Sequence, residues 1–167
     1  MTASKSTTQK ISTDTFSSEE AITNELVEDA AETNHIEVIE TVISSLEEDD
    51  SAMVSKTDTG HLWKFCYGNV EVFVQLTGDK EDDILTVWSC VLTLPTKNDS
   101  GLMQKLLEMN WSGTFETCFG INDKQVVVLT QRTLAGLTPT EISRAITLVA
   151  TIADENNQSL VEEFGAA

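Results

Sequence analysis

Basic residues are scarce: ten Lys and Arg face 28 Asp and Glu, for a formal net charge of −18. A field of that sign repels nucleic-acid phosphates and anionic lipid, so neither a nucleic-acid nor a membrane partner is expected. Long apolar runs are missing too. No stretch approaches the roughly 20 residues that span a bilayer as a helix. The first twenty residues have no apolar core and carry two Lys and no Arg. A secretory signal and a transit peptide are therefore not expected, and the expected compartment is the cytoplasm.

Residues that carry chemistry are equally thin. His35 and His61 are the only imidazoles, and Cys66, Cys90 and Cys118 form no CxxC pair, so no zinc spacing exists. Each Cys falls in an expected strand, where a free thiol reads as a small buried hydrophobe. His61 and Cys66, five residues apart on one strand, are roughly 17 Å apart and on opposite faces, which excludes a thiol–imidazole dyad. Asp79, Glu81, Asp82 and Asp83 crowd one loop without the spacing or central Gly of an EF-hand. Neither GxGxxG nor GxxxxGK[ST] occurs. Trp63, Trp88 and Trp111 read as core or interface anchors. No catalytic set, cofactor or metal is expected.

What the sequence does have is pattern. Residues 1–18 hold ten Ser or Thr and almost no large apolar side chain, so they are expected to be disordered. Ser17 and Glu20 make a capping box ahead of a short amphipathic helix with Ile22, Leu26 and Val27. Asn34 and Glu37 repeat that signature before Ile36, Ile39, Val42, Ile43 and Leu46 at helical spacing. From His61 the period becomes two. Leu62–Tyr67, a Gly68-Asn69 turn and Val70–Leu76 read as a hairpin. Ile84–Leu94 reads as a central strand, apolar on both faces, that Pro95 stops.

A helix over Leu102–Met109 follows, its apolar positions covering nearly half its circumference. A helix resting on one sheet needs only about a 100° stripe, so a second surface is expected to cover it. Strand Phe115–Ile121, turn Asn122-Asp123-Lys124 and strand Gln125–Arg132 come next. Thr138-Pro139-Thr140-Glu141 then supplies an N-cap, a proline at the first helical position and a capping-box acid. Ile142, Ala145, Ile146, Val149, Ile152 and Ala153 share about 100° of arc. Asn156 and Asn157 interrupt that stripe, so the packed helix is expected to end near Asp154. The order α-β-β-β-α-β-β-α, with five antiparallel strands, defines an α+β domain over residues 34–155. A leader (1–33) precedes it, and a helical extension or tail (156–167) follows.

Leu106-Leu107-Glu108-Met109-Asn110, the Val126–Thr130 strand and Leu137-Thr138-Pro139-Thr140-Glu141 resemble the phrases of the YbjN-type family. That family is similar in fold to the type III secretion chaperones, and the resemblance spans about residues 34–155. It implies a small, acidic, non-enzymatic protein that binds other proteins, often as a homodimer built through its middle helix. The expected partner or dimer interface is therefore Leu102, Met103, Leu106, Leu107, Met109 and Trp111. The expected function is a chaperone-like or regulatory adaptor that docks a segment of a partner protein on its sheet or middle helix, the partner being basic or apolar. The alternative is a small-molecule or nucleotide-responsive regulatory domain.

Overall fold

The computed structural model describes residues 34–48, 50–58 and 60–166. They belong to one compact unit, Asn34–Ala167. The leader and its amphipathic segment lie outside the described residues. The elements are α1 (His35–Leu46), β1 (Met53–Thr57), β2 (Gly60–Tyr67), β3 (Val70–Leu76), β4 (Ile84–Thr93), α2 (Asp99–Ser112), β5 (Cys118–Asn122), β6 (Gln125–Thr133) and α3 (Pro139–Phe164). The strands form one antiparallel sheet in the order β1-β2-β3-β4-β6-β5. It has six strands where five are expected. The extra strand, β1, lies at the edge, and the side chains of Met53, Val54, Ser55 and Lys56 are all exposed. With no buried face there is no alternation to read.

Alternation sorts the rest of the sheet. Val70, Val72, Val74 and Leu76 of β3 are buried, while Glu71 and Gln75 point the other way into solvent. Leu85, Val87 and Val91 of β4 and Val126 and Val128 of β6 continue the same buried face. Helix α3 crosses that face over β4, β3 and β6, and α1 packs on α3. The burial of each large aliphatic side chain there contributes about 1.5–3 kcal/mol. Trp63 donates its indole N–H to Glu40 of α1 at 3.4 Å, which ties α1 to β2.

Helix α3 starts where the sequence places it. Thr138 accepts from the Glu141 N–H, and Glu141 accepts in return from the Thr138 backbone. It does not end near Asp154. The Asn156 amide donates to the Ile152 carbonyl one turn back, so it does not break the helix. The helix runs to Phe164, where Leu160 and Phe164 are buried. Asp154 accepts from the Asn69 N–H at 2.8 Å and so clasps the β2–β3 turn. Gly68 has φ +53° there, and a Cβ on it would sit 2.4 Å from the Asp154 carboxylate.

The second hairpin is tighter than expected. Asn122 pairs with Gln125, leaving only Asp123 (φ +45°) and Lys124 (φ +67°) in the turn. Two left-handed residues in a two-residue loop are the signature of a type I′ turn, which matches strand twist. β5 begins at Cys118, not Phe115, because Phe115 has φ +52° and leaves the extended region.

Candidate functional site

Helix α2 divides the expected interface residues into two sets. Leu102 (0% exposed) and Leu106 (5%) are buried in the domain's own core, and Met103 and Met109 are half-buried against it. These four stabilise the fold. Leu107 (70%) and Trp111 (92%) stand one turn apart on the outer face. The wide apolar arc is therefore real but split: one part faces the core, and the surplus is Leu107 and Trp111. Their surroundings, Gln104, Glu108 and Ser112, form a shallow depression. Gln104 binds Glu108, and Lys105 pairs with Glu163 at 2.8 Å. Glu108 is the one charged residue among those that form the depression.

A residue that the sequence reading left without a role anchors this helix. Asn110 Oδ1 accepts from the Phe119 N–H at 2.7 Å, and its Nδ2 donates to the Phe119 carbonyl at 3.3 Å. One side-chain amide thereby satisfies both backbone groups of Phe119 on edge strand β5, as a neighbouring strand would. Free edges of that kind invite uncontrolled pairing. Asn110 stands in the Leu-Leu-x-x-Asn phrase, yet nothing local in the sequence points to a partner nine residues on.

Phe115 is the second residue the sequence reading misses. It is 80% exposed and left-handed in the loop between α2 and β5. Hydroxyls hold that loop. Thr117 Oγ1 and N both donate to the Thr114 carbonyl, and Thr130 Oγ1 donates to the Glu116 carbonyl. All three threonines are buried. Phe115 overhangs a trough of about 960 Å³ between α1 and α3, whose apolar lining includes Val38, Val42 and Leu148. The α3 wall presents Thr140, Ser143 and Thr147, and these small side chains leave the trough open. Arg144 on its rim pairs with Glu116 at 2.9 Å.

The remaining candidates stay structural. The sheet face turned away from α3 carries Phe73 stacked on Trp88, with ring centres 5.3 Å apart, and Lys64 over the Phe73 ring. Trp63 is buried and stacks with His61 at 5.2 Å, on the face opposite Cys66. The thiols are less buried than expected: Cys66 and Cys90 are half-buried and Cys118 is exposed. They flank the helix-covered core instead of filling it, because their register places them opposite Glu71, Val127 and Leu129 on the other face. Burial pushes the Cys90 thiol up, which disfavours the thiolate. Asp83 braces its loop by accepting from Lys80 N and Thr77 Oγ1, and those bonds, the backbone one foremost, hold its carboxyl below the usual range. Among the described residues no cluster of His, Cys, Asp or Glu is placed to hold a metal ion. None of their helices is long and apolar enough to cross a membrane.

These features define an α+β domain whose candidate site is exposed apolar surface, not a cleft lined with reactive groups. The chain belongs to the YbjN family, described as "Putative bacterial sensory transduction regulator", which residues 35–161 match. Its fold is similar to that in the crystal structure of the ExsC–ExsE complex, with 17% identity and a TM-score of 0.42. That match covers 67% of this chain and 77% of the other. No curated protein matches the sequence.

Proposed function

We propose that this chain is a non-enzymatic protein-binding module of regulatory character, acting as a homodimer and docking a segment of a partner protein. The observation that carries the reading is Trp111, 92% exposed, with Leu107 at 70% one turn away. Large aromatic side chains on a rigid helix supply much contact area for little lost entropy, and they dominate interface energetics. Only one charge, Glu108, lies in the depression around this pair, so local repulsion between two acidic chains there is small. Affinity capture with the full chain as bait tests the reading. Wild type is expected to retain a protein that the Leu107→Asp/Trp111→Asp variant releases. If both baits retain the same proteins, the outer face of α2 is not the interface.

The family description favours a second reading, a domain whose regulation responds to a small ligand. A thermal-shift screen with common metabolites and nucleotides separates the two, because a ligand bound only by the folded state raises the melting temperature. Stabilisation by such a compound supports the second reading, and a uniformly flat screen removes it.

A further inference from the structure

We propose that the trough between α1 and α3 docks a cationic amphipathic helix from a partner protein. This rests on the chain being a protein-binding module, and it adds a second docking surface that shares no residue with the outer face of α2. Three observations carry it.

The first is Phe115. A left-handed backbone costs a non-glycine residue about 1–2 kcal/mol. Here it serves no packing, since the ring is 80% exposed. Buried threonine hydroxyls hold the backbone on both sides of it, so the loop that carries the ring is braced beside the trough. Strain held by surrounding structure at a ligand-facing residue is a mark of function, and a pre-placed aromatic is the residue type that anchors interfaces.

The second is the shape and chemistry of the walls. Val38 and Val42 lie one turn apart on α1, while Ser143 and Thr147 lie one turn apart on α3 with Leu148 beside them. Both walls are helices whose interior backbone groups are already bonded. An extended segment laid there would bury N–H and C=O groups with few backbone partners. A helix brings its own satisfied, and it needs only apolar residues at i, i+3, i+4 and i+7 to fill the trough.

The third is charge. The chain has a net charge of −18, and one base, Arg144, stands among the residues that line the trough. That base is held by Glu116, and Glu37 lines the trough itself. A Lys- or Arg-rich polar face on the incoming helix complements Glu37 and the acidic chain around it and is steered towards them.

The test titrates the full chain into a fluorescently labelled Leu/Lys peptide of about 18 residues, five helical turns, patterned for one apolar stripe. A scrambled peptide of the same composition and a Leu/Glu counterpart serve as comparisons. The patterned peptide is expected to bind at least about tenfold tighter than the scrambled one, and the Leu/Glu peptide not at all. Phe115→Ala and Thr147→Trp, both at exposed positions, are each expected to weaken binding about tenfold. Equal binding of the scrambled peptide overturns the proposal, because it reports charge alone. So does binding that neither variant weakens. Loss in Leu107→Asp/Trp111→Asp with binding intact in Phe115→Ala moves the site to α2; that sinks this inference and leaves the proposed function standing. If no peptide binds, the trough is not a helix dock.

Discussion

Replacing Asn110 by Ala removes the two bonds that its amide makes to Phe119 on the β5 edge, at 2.7 and 3.3 Å. The shorter bond, to the N–H, is the stronger. Its loss leaves a part-buried donor for which water is an imperfect substitute, a cost of about 1–2 kcal/mol, and the longer bond adds about 0.5 kcal/mol. The sum, about 2 kcal/mol, corresponds to a fall in melting temperature of about 6–8 °C for a domain of this size. Asn110→Asp keeps the acceptor for the N–H but sets a carboxylate against the Phe119 carbonyl, so its stability should fall between wild type and Ala. Urea unfolding at neutral pH ranks the three proteins. A second consequence is readable in the same samples: with the edge uncovered, the Ala variant should self-associate more as its concentration rises. If Ala lies within about 0.5 kcal/mol of wild type and stays no more associated, water replaces the amide and the edge-capping argument is wrong.

Three other outcomes follow from the same geometry. Lys124 sits at φ +67° in the two-residue β5–β6 turn, so Lys124→Gly should raise the urea midpoint by the equivalent of about 0.5–1 kcal/mol. Phe164 is 6% exposed at the end of α3, and Phe164→Ala should destabilise by about 3 kcal/mol in calorimetry; an effect near zero would mean that the last turns of α3 do not pack. Bonds from the Thr138 backbone and hydroxyl, then the Arg132 guanidinium, hold the Glu141 carboxyl below its ordinary value of 4.5. A carboxylate depressed on folding stabilises above its unfolded pKa, and that contribution is lost as pH falls through the folded pKa. Wild type should therefore exceed Glu141→Gln in stability at pH 7, and the gap should close below about pH 4.

Much of this architecture is legible in the residues, and where it is not, the reason is physical. Thr138-Pro139-Thr140-Glu141 places the start of α3 because capping is local chemistry, and the Val70–Leu76 alternation places β3 because one of its faces is buried. β1 is invisible because Met53, Val54, Ser55 and Lys56 are all exposed. The end of α3 is misplaced because Asn156 reads as polar, although its amide is satisfied one turn back within the helix. The candidate site divides the same way. The apolar surplus of the middle helix shows in the sequence, but periodicity cannot say that Leu102 and Leu106 face inward while Leu107 and Trp111 face out. Asn110 and Phe115 act through a β5 backbone group and a left-handed loop, and neither leaves a spacing to find.

That division alters how self-association must be tested. Leu106→Asp would place a charge in a 5% exposed core position and unfold the chain rather than separate two copies. Leu107→Asp/Trp111→Asp changes only exposed side chains, so stability should hold within about 1 kcal/mol. Sedimentation equilibrium of wild type and this variant at micromolar concentration is the direct measurement. The account predicts a wild-type dimer and a folded variant monomer. A wild-type monomer, or a variant dimer of unchanged affinity, would contradict it.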